Sequence, residues 1–118
     1  MTTALTRARL DAQMSERDWQ DQVIAFARLR GWLVAHFRPA LTSKGWRTPV
    51  TADGAGFPDL VMVRDRVIVV KLKSETGRTT AEQARWLAAL EAAHAEHYVW
   101  RPSDWPEVEA VLGMDGGR

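Results

Sequence analysis

An aspartate and two lysines stand at the ends of two neighbouring apolar runs, where their spacing could build a charged cluster. Asp59 begins the first run, and Lys71 and Lys73 end the second. Both runs are rich in Val and Ile and flank residues 64–66, a pattern that predicts a β-hairpin. The hairpin would bring the three charged side chains to its open end.

The register of this hairpin decides whether the charges meet. If residues 64–66 form the turn, Val63 lies opposite Val67. Asp59 then lies opposite Lys71, and Lys73 falls on the same face because side chains alternate along a strand. Directly opposed Cβ atoms are roughly 4.5–5.5 Å apart, so this register predicts an ion pair between Asp59 and Lys71.

The residues around the cluster form a motif that extends beyond the hairpin. They read Gly56-Phe57-Pro58-Asp59-Leu60 and, at the end of the hairpin, Val70-Lys71-Leu72-Lys73. This arrangement resembles the VRR-NUC branch of the PD-(D/E)xK nucleases, whose usual pattern is G-F-P-D-L, a short hairpin and V-E-L-K. The resemblance continues through residues 80–87 and 98–102 and covers most of residues 15–112.

The resemblance implies a restriction-endonuclease-like core and a metal-dependent DNA endonuclease, acting on branched or structured DNA in phage replication or repair. In the family, the motif Asp and Glu and a backbone carbonyl bind Mg²⁺ or Mn²⁺, and the motif Lys positions or activates water. By position, these correspond to Asp59, Lys71 in place of Glu, the Leu72 carbonyl and Lys73. Divalent metals supply activated water and charge neutralisation when hard oxygen ligands hold them.

Two helix residues complete the implied site. Many family members direct a first-helix Glu at the metal, and Glu16 is the best match, with Gln20 one turn away. Glu16 is equally explained as a first-turn acid that interacts favourably with the helix dipole. Gln83 belongs to the family pattern and is expected near the strand that carries Lys73, although a Gln on a helix surface is its plain structural interpretation.

Lys71 is the one departure from the family pattern. A protonated lysine offers no lone pair to a metal, and two unit charges about 4 Å apart interact by roughly 4 kcal/mol at an effective dielectric near 20. We therefore expect metal affinity to fall by several powers of ten and hydrolysis to be lost or severely reduced. The sequence leaves open whether Lys71 is a deliberate inactivating substitution or the natural residue of a pseudoenzyme.

A second hypothesis is a nucleic-acid-binding module without catalysis, which would need no metal. Residues 38–56 show no periodicity, and long patternless loops are usually functional or mobile. Trp46 in this segment could stack on a base or fold back on the core. The candidate phosphate contacts are His36, Arg38, Lys44, Arg47, Arg64 and Arg78. A partner-binding scaffold is a third hypothesis, which leaves the Asp59 cluster unexplained.

The remaining elements must position these residues. Ser15 is expected to cap a helix that ends near Gly31, Thr79 to cap a second helix and Ser103 a third. Short strands are expected over 32–37 and 97–100, and residues 1–13 and 113–118 as a loose or short-helical start and a loose tail. The order predicts an α/β fold, with a small mixed sheet and a central hairpin flanked by helices.

Composition sets the outer limits. The 118 residues are expected to form one domain, and the net charge of +1 gives no overall nucleic-acid signal. The absence of cysteine excludes disulfides, thiolate metal sites and cysteine catalysis. No apolar run is long enough to span a membrane and no signal-peptide core is present. We therefore expect a cytoplasmic protein (host cytoplasm if phage-encoded) without a membrane partner. The resemblance implies DNA as the partner and allows a homodimer.

Overall fold

The computed structural model describes residues 3–38, 40–47 and 49–113. Within these ranges the chain forms four α-helices and six β-strands. The elements are α1 (Thr3–Gln13), α2 (Glu16–Leu29), β1 (Leu33–His36), β2 (Ala40–Thr42), β3 (Gly45–Arg47), β4 (Leu60–Val63), β5 (Val67–Leu72), α3 (Ala81–Ala92), β6 (His97–Trp100) and α4 (Trp105–Gly113). Within the same ranges, no helix has both the length and the apolar character needed to cross a membrane.

Four strands form one mixed sheet in the order β1-β4-β5-β6. β4 is antiparallel to β1 and β5, whereas β5 and β6 are parallel and are connected through α3. The expected α/β class, with a small mixed sheet and a central hairpin, is confirmed. The hairpin register is confirmed as well, because Val63 pairs with Val67 and Val61 with Val69.

One face of the hairpin forms the hydrophobic core. Leu60, Met62, Ile68 and Val70 are fully buried, and they alternate with the residues of the other face. The same core cluster includes buried residues from both α2 and α4: Trp19, Val23, Ala27, Val108 and Leu112. Burying one such side chain stabilises the fold by roughly 1.5–3 kcal/mol. Alternation therefore places Asp59 and Lys71 on the sheet face opposite this core.

The segment predicted to be patternless contains a two-stranded ribbon, so that prediction is wrong. β2 and β3 pair antiparallel, and Leu41 lies opposite Trp46. The Thr42 hydroxyl donates to the Gly45 carbonyl at 2.7 Å and accepts from the Lys44 amide at 3.1 Å. Gly45 has a φ of +96°, a conformation that glycine adopts without strain. The ribbon depends on this turn chemistry, which hydrophobic periodicity does not reveal.

The helix starts were predicted with mixed success. Ser15 caps α2 as expected, since its hydroxyl accepts from the Asp18 amide at 3.0 Å. The cap of α3 is Thr80 and not Thr79. The Thr80 hydroxyl accepts from the Gln83 amide at 3.2 Å, and Gln83 Oε1 accepts from the Thr80 amide at 3.0 Å. Two overlapping capping-box patterns exist here, and the one with Gln83 is formed.

The two ends of the chain also differ from expectation. Residues 3–13 form the helix α1, which was one of two alternatives. Ser103 does not cap the last helix: it lies in a 3₁₀ turn, Pro102–Asp104, and α4 begins at Trp105. Asp104 accepts from the Arg101 amide at 2.8 Å and so satisfies the backbone there. The predicted tail is helical at Gly113, and residues 114–118 lie outside the described part of the chain.

Candidate active site

The open end of the hairpin brings Asp59 and Lys71 into contact. Lys71 Nζ lies 3.1 Å from Asp59 Oδ1, and Asp59 Oδ2 accepts from the Leu72 amide at 2.8 Å. The backbone carbonyl of Asp59 accepts from the Phe37 amide at 2.8 Å, which ties the residue to the end of β1. Only 5% of Lys71 is exposed to solvent, so the ion pair is shielded from water.

Lys73 is the second buried cation of this cluster, with 6% of its surface exposed. Burial lowers the pKa of Lys73, and the positive charge of Lys71 lowers it further, while Glu16 and Asp59 act in the opposite direction. The structure therefore places two buried lysines beside one carboxylate that is already paired with one of them.

A cavity of about 1130 Å³ opens beside this pair. Glu16 and Gln20 from α2, Asp59 and Lys71 from the hairpin, and Gln83 from α3 all line it. The structure thus brings together most of the residues that the resemblance assigns to the site. Lys73 does not line the cavity, and Gln83 uses its side-chain oxygen for the cap of α3.

Aromatic side chains form much of the remaining wall and were missed as site residues from sequence. Phe37, Phe57 and Trp86 line the cavity together with Trp46, which was singled out. Trp86 is half-buried and lines the cavity. Phe37 reaches the site because β1 pairs with β4, a long-range pairing with no local sequence signal. Phe57 stands two residues before Asp59, and this proximity was the signal available.

The donor set does not fit the metal that the resemblance implies. Mg²⁺ prefers octahedral oxygen coordination, but both oxygens of Asp59 are engaged by Lys71 and the Leu72 amide. A protonated Lys71 repels a cation instead of binding it. Among the residues that the structure describes, no three His, Cys, Asp or Glu side chains converge into a metal-binding group. The described side chains therefore do not form the metal site that the resemblance implies.

Three of the six candidate phosphate contacts are exposed and do not line the cavity. Arg38, Lys44 and Arg78 are solvent-exposed, and the side chain of Arg47 lies outside the described part of the chain. His36 is half-buried, and its Nε2 is buried without a hydrogen-bond partner in the described structure. Burial lowers the pKa of His36, against the raising effect of Asp59.

The structure does not bring Arg64, a predicted nucleic-acid contact, to the cavity. It lies at the turn of the hairpin, the end away from Asp59. Its Nη1 donates to the carbonyls of Arg30 and Leu112 at 3.0 and 3.1 Å. Its guanidinium lies 4.6 Å from the centre of the Trp32 ring. Arg64 therefore binds the turn to the neighbouring helix ends.

No protein-family model matches the chain, and no curated protein or solved structure is significantly similar to it. The resemblance to VRR-NUC nucleases therefore rests on the motif residues alone. The function of the chain has to be inferred from the geometry of the Asp59 cluster and its cavity.

Proposed function

We propose that this chain is a DNA-binding protein built on a restriction-endonuclease-like scaffold whose metal-dependent hydrolysis is lost or severely reduced. The observation that carries the proposal is the 3.1 Å ion pair between Lys71 and Asp59. In the register of the hairpin, Lys71 occupies the position at which the family pattern has a metal-binding Glu. Its ammonium group takes roughly the place of the cation and neutralises the remaining carboxylate.

The proposal explains why two buried lysines and one aspartate are tolerated at this end of the sheet. Two carboxylates opposed across a ladder repel each other, and a metal relieves that repulsion. An aspartate opposed to a lysine attracts it and needs no metal. The change from Glu to Lys would therefore convert a metal-dependent cluster into one that is stable without metal.

The test compares cleavage by this chain with cleavage by the Lys71→Glu variant. Supercoiled DNA and branched DNA are incubated with each protein in Mg²⁺, in Mn²⁺ or in EDTA. Arg28→Glu serves as the control, because Arg28 is exposed on α2 and its reversal changes the net charge equally. We expect metal-dependent cleavage by Lys71→Glu and none by the other two proteins.

A metal titration gives a readout independent of cleavage. A ligand that binds only the folded state raises the free energy of unfolding, by about 2.7 kcal/mol at a hundred times its dissociation constant. Mg²⁺ should therefore raise the melting temperature of Lys71→Glu and leave that of the parent chain and of Arg28→Glu unchanged. Cleavage by the parent chain itself would show that Lys71 is tolerated and that the metal-site assignment is wrong.

The second candidate function is a nucleic-acid-binding module that never hydrolyses DNA. The observation in its favour is the β2–β3 ribbon, which exposes Trp46 and carries the exposed Lys44 in its turn. A two-stranded ribbon fits the major groove of DNA. DNA binding by both the parent chain and Lys71→Glu, with cleavage by neither, would establish this function instead.

A further inference from the structure

Three of the aromatic rings beside the Asp59–Lys71 pair are held in a fixed arrangement. Phe57 lies edge-to-face against Phe37 at 5.7 Å and against Trp86 at 5.0 Å, with interplanar angles of 84° and 88°. Trp86 Nε1 donates to the Asp53 carbonyl at 2.9 Å, which fixes the orientation of its indole. These packed rings give the cavity a rigid apolar wall.

The fourth ring, Trp46, is exposed although it is large and apolar. Trp46 and its cross-strand neighbour Leu41 are each 70% exposed on the β2–β3 ribbon. Trp46 nevertheless lines the same cavity as the packed rings. The exposed ring of Trp46 therefore offers a flat apolar surface at the opening of a cavity whose wall already contains three packed aromatic rings.

The charges of the cavity indicate which part of a nucleotide belongs inside. Two basic residues line it, Arg17 and Lys71, against three acidic ones, Glu16, Asp53 and Asp59. A phosphate would meet more negative than positive charge there. A neutral flat group with a polar edge avoids that repulsion, and the lining residues Gln20 and Gln83 carry side-chain amides.

We propose that this cavity binds an unpaired nucleobase of DNA, stacked on Trp46 and enclosed by the Phe57 ring cluster. The inference rests on the proposed DNA-binding function and names its substrate class. The cavity of about 1130 Å³ is ample for one base with its sugar. The phosphates on either side would remain outside, within reach of exposed cations such as Lys44.

Duplex DNA cannot satisfy such a site without distortion. A paired base is stacked on both faces, and extruding it costs a few kcal/mol, whereas an unpaired base is available at less cost. Stacking of a base on an aromatic side chain tolerates any sequence, because every base has a π face. We therefore expect a preference for unpaired bases over duplex, with little preference among the four bases.

The experiment measures the dissociation constants of two DNA duplexes in EDTA, at one fixed salt concentration. One duplex is fully paired, and the other carries a single unpaired 2-aminopurine. We expect the unpaired site to bind more tightly and its fluorescence to be quenched on binding. Trp46→Ala should lower the preference by about 5- to 150-fold, and Trp46→Phe should retain most of it. Leu33→Ala is the control, because Leu33 is 77% exposed and does not line the cavity.

The outcomes separate this inference from the proposed function. If neither duplex binds, both the proposed function and the inference are wrong. If both duplexes bind equally, or if the preference survives Trp46→Ala, the protein binds DNA but the cavity does not hold a base. If Trp46→Ala dissociates a dimer in size-exclusion chromatography and leaves the preference unchanged, the cavity is covered by a second copy of the chain, which also overturns the inference.

Discussion

At the scale of single residues, the Asp59–Lys71 pair has a structural role that can be measured separately from any chemical one. A buried ion pair adds little net stability, because the desolvation of two charges offsets their attraction. Removing one partner is costly, since the other charge stays buried alone. The pair therefore holds Lys71 in place.

Truncating Asp59 and truncating Lys71 should lower the free energy of unfolding by different amounts. Asp59→Ala leaves the Lys71 ammonium unpaired and the Leu72 amide without its 2.8 Å acceptor, so we expect a loss of about 3–5 kcal/mol in the free energy of unfolding. Lys71→Met also leaves a charge unpaired, but the Asp59 side chain is more exposed than that of Lys71 and keeps the hydrogen bond from the Leu72 amide, so the loss should be smaller, about 1–3 kcal/mol. Urea unfolding at neutral pH measures both values, and equal losses would contradict this account of the pair.

Glu96 is the centre of a second charged network, away from the cavity. Its Oε1 accepts from Arg66 Nε at 2.7 Å and its Oε2 from the Tyr98 hydroxyl at 2.6 Å. Burial opposes ionisation of Glu96, but these hydrogen bonds hold its pKa below the usual value. Burial and the bond to Glu96 raise the pKa of Tyr98 to about 12. The network is therefore strongest with Glu96 ionised.

Glu96 should make stability depend on pH in the acid range. A carboxyl whose pKa is lower in the folded state stabilises it fully above its unfolded pKa, and loses that effect as pH falls through its folded pKa. Glu96→Gln should therefore cost about 1–2 kcal/mol at pH 7, and the difference from the parent chain should shrink below about pH 4.5. Urea unfolding between pH 3 and 7 measures this, with exposed Glu109→Gln as the control. A difference that stays constant with pH would rule out the ionised network.

At the scale of elements, the cavity depends on how closely the segment before β4 approaches α3. Gly56 has a φ of +83°, and a Cβ at this position would lie 2.5 Å from the backbone carbon of Glu82. Only glycine allows this approach without displacing one of the two elements. The aromatic wall of the cavity spans the same contact, since Phe57 follows Gly56 and packs on Trp86.

Two glycines with similar backbone angles allow this contact to be tested. Gly45 has a φ of +96°, but a Cβ there would meet no atom within 4 Å. Gly45→Ala should cost only the strain of the backbone, about 1–2 kcal/mol. Gly56→Ala adds a clash with α3 and should cost clearly more, with a change in the fluorescence of Trp86. Urea unfolding compares the two variants, and equal losses would show that the close approach does not contribute to stability.

At the scale of the whole molecule, the two ends of the hairpin contact different parts of the structure. Its open end carries the Asp59 cluster and the cavity. Its turn is bound to the ends of α2 and α4 through Arg64, and Trp32 Nε1 donates to the same Leu112 carbonyl at 2.8 Å. We therefore expect substitutions at the two ends to affect different properties.

Arg64→Lys tests this separation. Lysine lacks the planar fork of donors that reaches several carbonyls at once, so we expect a loss of about 1.5–3 kcal/mol in the free energy of unfolding. The affinity for DNA should not change. Lys44→Ala is the matched comparison: it should weaken DNA binding and reduce its salt dependence by about one charge, while stability stays nearly unchanged. If Arg64→Lys folds but loses affinity for DNA, Arg64 contacts nucleic acid after all.

Local sequence patterns were sufficient for the features that depend on neighbours in the chain. The apolar alternation around residues 64–66 determined the hairpin and its register, and hence the pairing of Asp59 with Lys71. Ser15 and its spacing to Asp18 determined the start of α2. In each case the interacting groups are close in sequence, so the period of two or the capping geometry encodes them.

Only the tertiary structure decided which distant residues meet. The pairing of β1 with β4 brings Phe37 to Asp59, and the approach of Gly56 to α3 accompanies the contact of Phe57 with Trp86 at the cavity. The same arrangement carries Arg64 away from the site and binds it to Leu112. Contacts of this kind form between segments far apart in the chain, where packing and shape select the partner and no local periodicity records the choice.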